Sequence, residues 1–314
     1  MTGRPPRPTR AGRLLTFLQA MFPPAAMIPA GLASFCAQYF LLQALAGRTE
    51  MQFPWRAGIG AATIILLSLL LRVYDELKDA ETDLRLGRAG DPLYKDRPVV
   101  TGHIRVEDIV LLRWLVSGLV IAVNIPLALS YAGGAFAVAF ILCWMSFRWF
   151  FWPGMQKNLL AAFATHNPLS AVLTVYIVAV FADDFGTESL GGTTALLVIG
   201  FWMPIAAWET SRKIRIPDDE TDYQTYSKIL GIQTAAMLPI VFVAISAACF
   251  TAIFRELDAP WYAMGGVHGL AGLVVVACIA LIAAPSTRRA RLRPVTELYM
   301  VALSVGVTAL MLFR

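Results

Sequence analysis

The sequence predicts an all-α, multi-pass membrane bundle of about nine transmembrane helices, each near the roughly 20 residues that cross the hydrocarbon. Three observations carry this expectation. Of 314 residues, 58% are hydrophobic and only 15% charged, and mean hydropathy is +0.64, which suits an integral membrane chain rather than a soluble core. The apolar residues run in unbroken stretches. The cations collect in the short segments between them.

The stretches read, in order, as residues 25–46, 57–76, 107–130, 133–152, 161–181, 192–211, 229–254, 264–284 and 294–313. They form one transmembrane domain over residues 1–314. Arg4, Arg7, Arg10 and Arg13 precede an apolar run too long for the short core of a secretion signal, so this end reads as the first anchored segment. The longer polar connections follow the second and sixth stretches, an offset of four helices that hints at an internal repeat.

Loop charge sets the expected orientation. One set of loops holds the four N-terminal arginines, then Arg72 through Arg105, Arg148 and Lys157. It continues with Arg212, Lys213, Arg215 and Lys228, and ends with Arg288, Arg289, Arg291 and Arg293. The other side keeps Arg48, Arg56, Arg255 and Arg314. Cytoplasmic loops carry the excess of Lys and Arg, so the N-terminus and the longer polar loops are expected in the cytoplasm. A formal charge of +5 on such loops speaks for anionic lipid, not nucleic acid. Cys36, Cys143, Cys249 and Cys278 lie far apart in apolar stretches, without metal or disulfide spacing.

Chemistry concentrates at two places. The second stretch runs into Arg72-Val73-Tyr74-Asp75-Glu76-Leu77-Lys78-Asp79, with Asp83 four residues further. If the helix continues, Asp75, Asp79 and Asp83 form one drifting stripe, a turn apart. Either the stripe carries a hard divalent cation, or it is a solvated acidic helix end with Lys78 and Arg85 as partners. The sixth stretch ends Trp208-Glu209-Thr210-Ser211-Arg212-Lys213-Ile214-Arg215-Ile216-Pro217, where proline turns the chain. Asp218, Asp219, Glu220 and Asp222 follow. Interleaved carboxylates and cations suit a diphosphate, held through Mg²⁺ by the former and directly by the latter. A polar loop of internal salt bridges is the simpler reading of either place alone.

The motifs together resemble the UbiA superfamily of intramembrane prenyltransferases, over nearly the whole chain. Asp75, Asp79 and Asp83 resemble its first acidic signature, and Arg97-Pro98-Val99-Val100-Thr101-Gly102 is similar to the basic element that follows. Asp218 and Asp222 have the spacing of the second signature, and Thr225 to Gly231 fits the approach to the seventh helix. Trp152-Pro153 with Lys157 resembles a further aromatic-Pro and Lys element, at one residue more spacing. The string from Glu209 to Ser227 is similar to one bacterial branch. Asp75 departs from the Asn usual in members with aromatic acceptors, and Glu76 from the Asp that follows it.

The resemblance implies a central cavity open to the cytoplasmic side and Mg²⁺ bridging both acidic clusters to an isoprenyl diphosphate. Metal carboxylates are then Asp75, Asp79 and Asp83 of the first motif and Glu209, Asp218, Asp219 and Asp222 of the second, the last four competing, with Asp75, Asp79, Asp83, Glu209, Asp218 and Asp222 the catalytic set. Arg72, Lys78, Arg97, Lys157, Arg212 and Lys213 are the candidate diphosphate cations. Phe147, Trp149, Tyr176, Trp202 and Trp208 are candidate cavity walls whose ring faces stabilise a cation by roughly 0.5–2 kcal/mol each, against a packing role. His166 and Asn167 either serve an acceptor or join helices by hydrogen bonds. Three activities remain open: prenyl transfer to a small or lipid acceptor, terpene cyclisation without one, and transport. Transport usually places charge at mid-membrane, whereas ionisable residues here gather at one face, Arg113 excepted.

Overall fold

A computed structural model describes residues 9–90, 94–152, 154–221 and 223–314. Arg4, Arg7, Pro153 and Asp222 of the sequence reading lie outside the described residues. The described chain is helical, without strands: α1 (Arg10–Met21), α2 (Pro24–Leu45), α3 (Trp55–Arg88), α4 (Val106–Asn124), α5 (Tyr131–Phe147), α6 (Leu159–His166) and α7 (Leu169–Phe185). Then follow α8 (Gly192–Ser211), α9 (Tyr226–Leu230), α10 (Ile232–Glu256), α11 (Trp261–Ala283), α12 (Thr287–Ala290) and α13 (Arg293–Leu312).

Each of the nine expected stretches meets a helix. Among the described residues, eight spans are long and apolar enough to cross a membrane, and α5 adds a shorter apolar helix of 17 residues. One boundary is corrected, and one span carries an internal break. α3 does not stop near Glu76 but runs 34 residues, so the acidic stripe is helical throughout. Pairs one turn apart, Arg72 with Glu76 at 2.7 Å and Lys78 with Asp75 at 2.9 Å, carry the helix past its apolar part. Arg85 and Arg88 then sit where the helix dipole favours cations. The fifth stretch is broken between α6 and α7 at Asn167 and Pro168, because proline offers no N–H to continue the ladder.

The chain forms two compact units, with boundaries inside α2 and α3. The first comprises residues up to Leu32 together with Ala61–Ala128. Here the Arg10 and Arg13 side chains clasp the buried Asp108 carboxylate at 3.1 and 2.6 Å, which anchors α1 to the start of α4. The Asn124 amide donates to the Thr63 hydroxyl at 2.8 Å, a buried polar tie between α4 and α3. Gly87 allows the segment before α4 to lie against α3, since a Cβ there would stand 2.5 Å from Val100.

The second unit comprises Ala33–Gly60 and Leu129–Arg314. The Ser246 hydroxyl of α10 donates to the Gly200 carbonyl of α8 at 2.8 Å and accepts from Tyr299 of α13 at 2.9 Å. Phe201 meets Phe250 edge-on at 5.1 Å alongside. Such buried hydroxyl pairs are worth about 1 kcal/mol each between membrane helices and fix which faces meet. At another end, Asp184 accepts from the Tyr39 hydroxyl at 2.6 Å and pairs with Arg56 at 3.3 Å. The four cysteines are free; Cys143, Cys249 and Cys278 are buried and Cys36 is half-buried.

Candidate active site

In the first unit, the acidic end of α3 separates into two faces. Asp75 and Asp79 look outward, with Asp75 paired to Lys78, whereas Glu76 and Asp83 are buried. Glu76 holds Arg72, whose guanidinium also reaches Met21 Sδ at 3.4 Å, and Asp83 holds Arg97. Arg97 also stacks over Tyr94, 4.9 Å from its ring centroid. Burial of Arg97 works against its charge, but Asp83 outweighs it, leaving the guanidinium above its ordinary pKa. The sequence stripe is therefore not one open row. Asp79 is exposed and makes no ion pair among the described residues, while Asp83 is committed to the basic element. Glu76, a departure from the motif, is the carboxylate that orders Arg72.

In the second unit, Glu209 near the end of α8 takes Arg212 at 2.7 Å and Lys213 at 2.8 Å, one on each oxygen. Those three residues are thus brought together as a preformed cation pair on a carboxylate hinge. Burial opposes charge on Lys213, and Glu209 more than offsets it, so the ammonium stays above its ordinary pKa. Arg212 also lies over the Trp208 ring at 4.8 Å, and the Trp208 indole N–H donates to Glu297 at 3.0 Å.

Beyond Pro217, Asp218 is exposed and Asp219 half-buried; neither has an ion pair among the described residues. The fixed carboxylate of the loop is Glu220, absent from the predicted set. It accepts from the Thr225 hydroxyl at 2.6 and 2.7 Å and from Ser227 at 2.7 Å. A Glu followed five residues later by Thr-x-Ser ahead of a short helix was the available signal. Arg215 reaches the Thr221 hydroxyl at 3.1 Å, and Lys228 the Thr221 carbonyl at 2.7 Å. The Gln224 amide donates to the Lys157 carbonyl at 2.9 Å, so the Lys157 turn is joined to this loop.

The aromatic set divides. Tyr176 is buried against Phe136, Trp202 donates its indole N–H to Asn167 at 2.6 Å, and Phe147 is half-buried at the end of α5. The Asn167 contact is the helix-joining alternative. Trp149, Phe150 and Phe151 form a left-handed turn, with φ of 53°, 50° and 56°, a conformation costing roughly 1–2 kcal/mol per residue. It sets Trp149 and Phe150 against His166, with centroids at 5.4 and 5.3 Å. The His166 ring nitrogens stand 3.0 Å from the Ala162 carbonyl and 3.1 Å from that of Ser146. His268 meets the Thr251 hydroxyl at 2.9 Å between α11 and α10, and His103 is a surface residue. A cavity of about 370 Å³ in this unit is lined by Phe254, Tyr262, Val267, Leu303, Val307 and Phe313. The expected wall residues Phe147, Trp149, Tyr176, Trp202 and Trp208 are not in its lining.

Among the described residues no three His, Cys, Asp or Glu side chains gather into a metal cage. Mg²⁺ needs none: it takes one or two carboxylates and completes its shell with water and substrate phosphate. The outward carboxylates of Asp75 and Asp79, one turn apart on α3, are chemically suited to that demand, as are Asp218 and Asp219.

No protein-family profile matches the sequence, and no curated protein does. Two solved structures resemble this one. A UbiA homologue from Aeropyrum pernix K1, in its apo form, is 17% identical, with a TM-score of 0.66 over 91% of this chain and 98% of that one. Digeranylgeranylglyceryl phosphate synthase is 13% identical, with a TM-score of 0.59 over 96% and 99%. With its eight apolar spans among the described residues, the chain is an integral membrane protein, and its fold is the UbiA fold.

Proposed function

We propose that the chain is a single UbiA-type domain, an intramembrane enzyme that ionises an isoprenyl diphosphate with Mg²⁺ and transfers the prenyl group to an acceptor. The observation that carries this reading is the Glu209–Arg212–Lys213 cluster at the end of α8, in a chain of UbiA fold whose α3 ends in outward carboxylates. Diphosphate is the leaving group, and Arg212 and Lys213 stabilise its charge as the C–O bond breaks with both electrons. Mg²⁺, when bound, supplies the remaining charge neutralisation. Each unit offers carboxylates that would hold it, Asp75 and Asp79 in the first and Asp218 and Asp219 in the second. Asp83 keeps Arg97 in place, and Asp222 belongs to the same set by sequence. The allylic cation is attacked by the acceptor, which then loses a proton. The solved synthase names a lipid bearing geranylgeranyl groups, which supports an isoprenoid donor and a lipid or small acceptor here. Loop charge supports a cytoplasmic N-terminus and active face.

Cyclisation is the second reading, favoured by His166 between Trp149 and Phe150. The Trp149 and Phe150 ring faces stabilise a cation, and His166, with both ring nitrogens against carbonyl oxygens, holds the two rings in place. Membranes containing the chain, given Mg²⁺ and geranylgeranyl diphosphate alone, separate the two. A transferase yields a prenylated product only after acceptor is added; a cyclase yields a new hydrocarbon without it. Consumption of no isoprenyl diphosphate under either condition would refute both.

A further inference from the structure

Tyr226 opens α9 immediately after the second polar loop, and it is 1% exposed. Its ring stands edge-on to Phe163, centroids 6.1 Å apart, and its backbone N–H donates to the Lys213 carbonyl at 2.9 Å. The residues on either side are committed, since the Thr225 and Ser227 hydroxyls both bind Glu220. The Tyr226 hydroxyl itself has no hydrogen-bond partner among the described residues. A buried hydroxyl without a partner is a net cost that phenylalanine would avoid while keeping the contact with Phe163.

The surroundings say what kind of partner is missing. Glu209, Arg212 and Tyr223 act on the hydroxyl electrostatically, and the Tyr226 backbone N–H is bonded to the Lys213 carbonyl. Glu209 already receives Arg212 and Lys213. A ligand that draws these cations must be an oxyanion, and a phenol offers it one donated hydrogen bond. Burial, reinforced by the Glu209 charge, pushes the phenol pKa upward, so the group stays protonated and donates.

We propose that the Tyr226 hydroxyl donates a hydrogen bond to the diphosphate gripped by Arg212 and Lys213, as a third anchor of the anion. This rests on the reading of that cluster as a diphosphate site. Without ligand the hydroxyl is left unsatisfied; with ligand it completes the anion's shell.

The test uses the full chain in detergent and inorganic pyrophosphate with Mg²⁺ as probe, with affinity measured by calorimetry. Tyr226→Phe is expected to bind about tenfold or more weakly than wild type, the loss of one hydrogen bond to a charged group. Its ligand-free melting temperature is expected to stay equal or rise, which a purely structural hydroxyl would not allow. Lys213→Ala serves as reference. If Lys213→Ala loses binding but Tyr226→Phe binds as wild type does, the role of Tyr226 is overturned and the diphosphate site stands. If wild type binds no pyrophosphate, the site reading falls and takes this inference with it. Should Tyr226→Phe fail to fold, 3-fluorotyrosine at position 226 in an otherwise wild-type chain replaces it. Its fluorine resonance is expected to shift at saturating pyrophosphate, and an unmoved resonance overturns the proposal.

Discussion

The Asp83 carboxylate, 1% exposed, is ion-paired to the Arg97 guanidinium fourteen residues on, tying the last turns of α3 to the segment before α4. Removing the cation alone strands a buried negative charge. Arg97→Ala is therefore expected to destabilise the chain by about 1–3 kcal/mol, Arg97 being part-exposed. Asp83→Asn in the Arg97→Ala background should recover part of the loss, since the uncompensated charge is gone. Reversible unfolding of the single and double variants in mixed micelles reads the coupling.

Thr225 both caps α9 and holds Glu220. Its hydroxyl accepts from the Lys228 N–H at 3.1 Å and faces both Glu220 oxygens. Thr225→Val keeps the side-chain shape and loses these bonds, at about 1–2 kcal/mol. Faster hydrogen exchange over residues 217–230, with α10 unaffected, is the expected signature.

Trp202 and Asn167 join α8 to the break between α6 and α7. Asn167→Leu is expected to cost about 1 kcal/mol of stability, the usual worth of one interhelical hydrogen bond in a membrane. Turnover of isoprenyl diphosphate should persist. A loss of turnover with unchanged stability would instead assign Asn167 to the substrate.

Most helices were legible because each apolar run is about as long as the hydrocarbon is thick. The end of α3 was not, because hydropathy falls at Arg72 while the ion pairs that prolong the helix are local. The break before α7 carried a readable mark in Pro168, masked by the apolar residues on both sides. In the site, residue types were legible but commitments were not. Asp83 and Glu209 read as metal ligands, and the structure pairs them with Arg97 and with Arg212 and Lys213. Spacing places carboxylates on a face; it does not say which neighbouring cation each will take. The left-handed turn at Trp149–Phe151 left no trace, since three bulky aromatics are the residues least expected there.

Pyrophosphate release from geranylgeranyl diphosphate by the purified chain, with and without Mg²⁺ and across acceptors, tests the proposed chemistry most directly when paired with Asp79→Ala. The account predicts release by wild type only with Mg²⁺, and its abolition in a variant that remains folded in the membrane. Equal release by wild type and Asp79→Ala, or release indifferent to Mg²⁺, would contradict it.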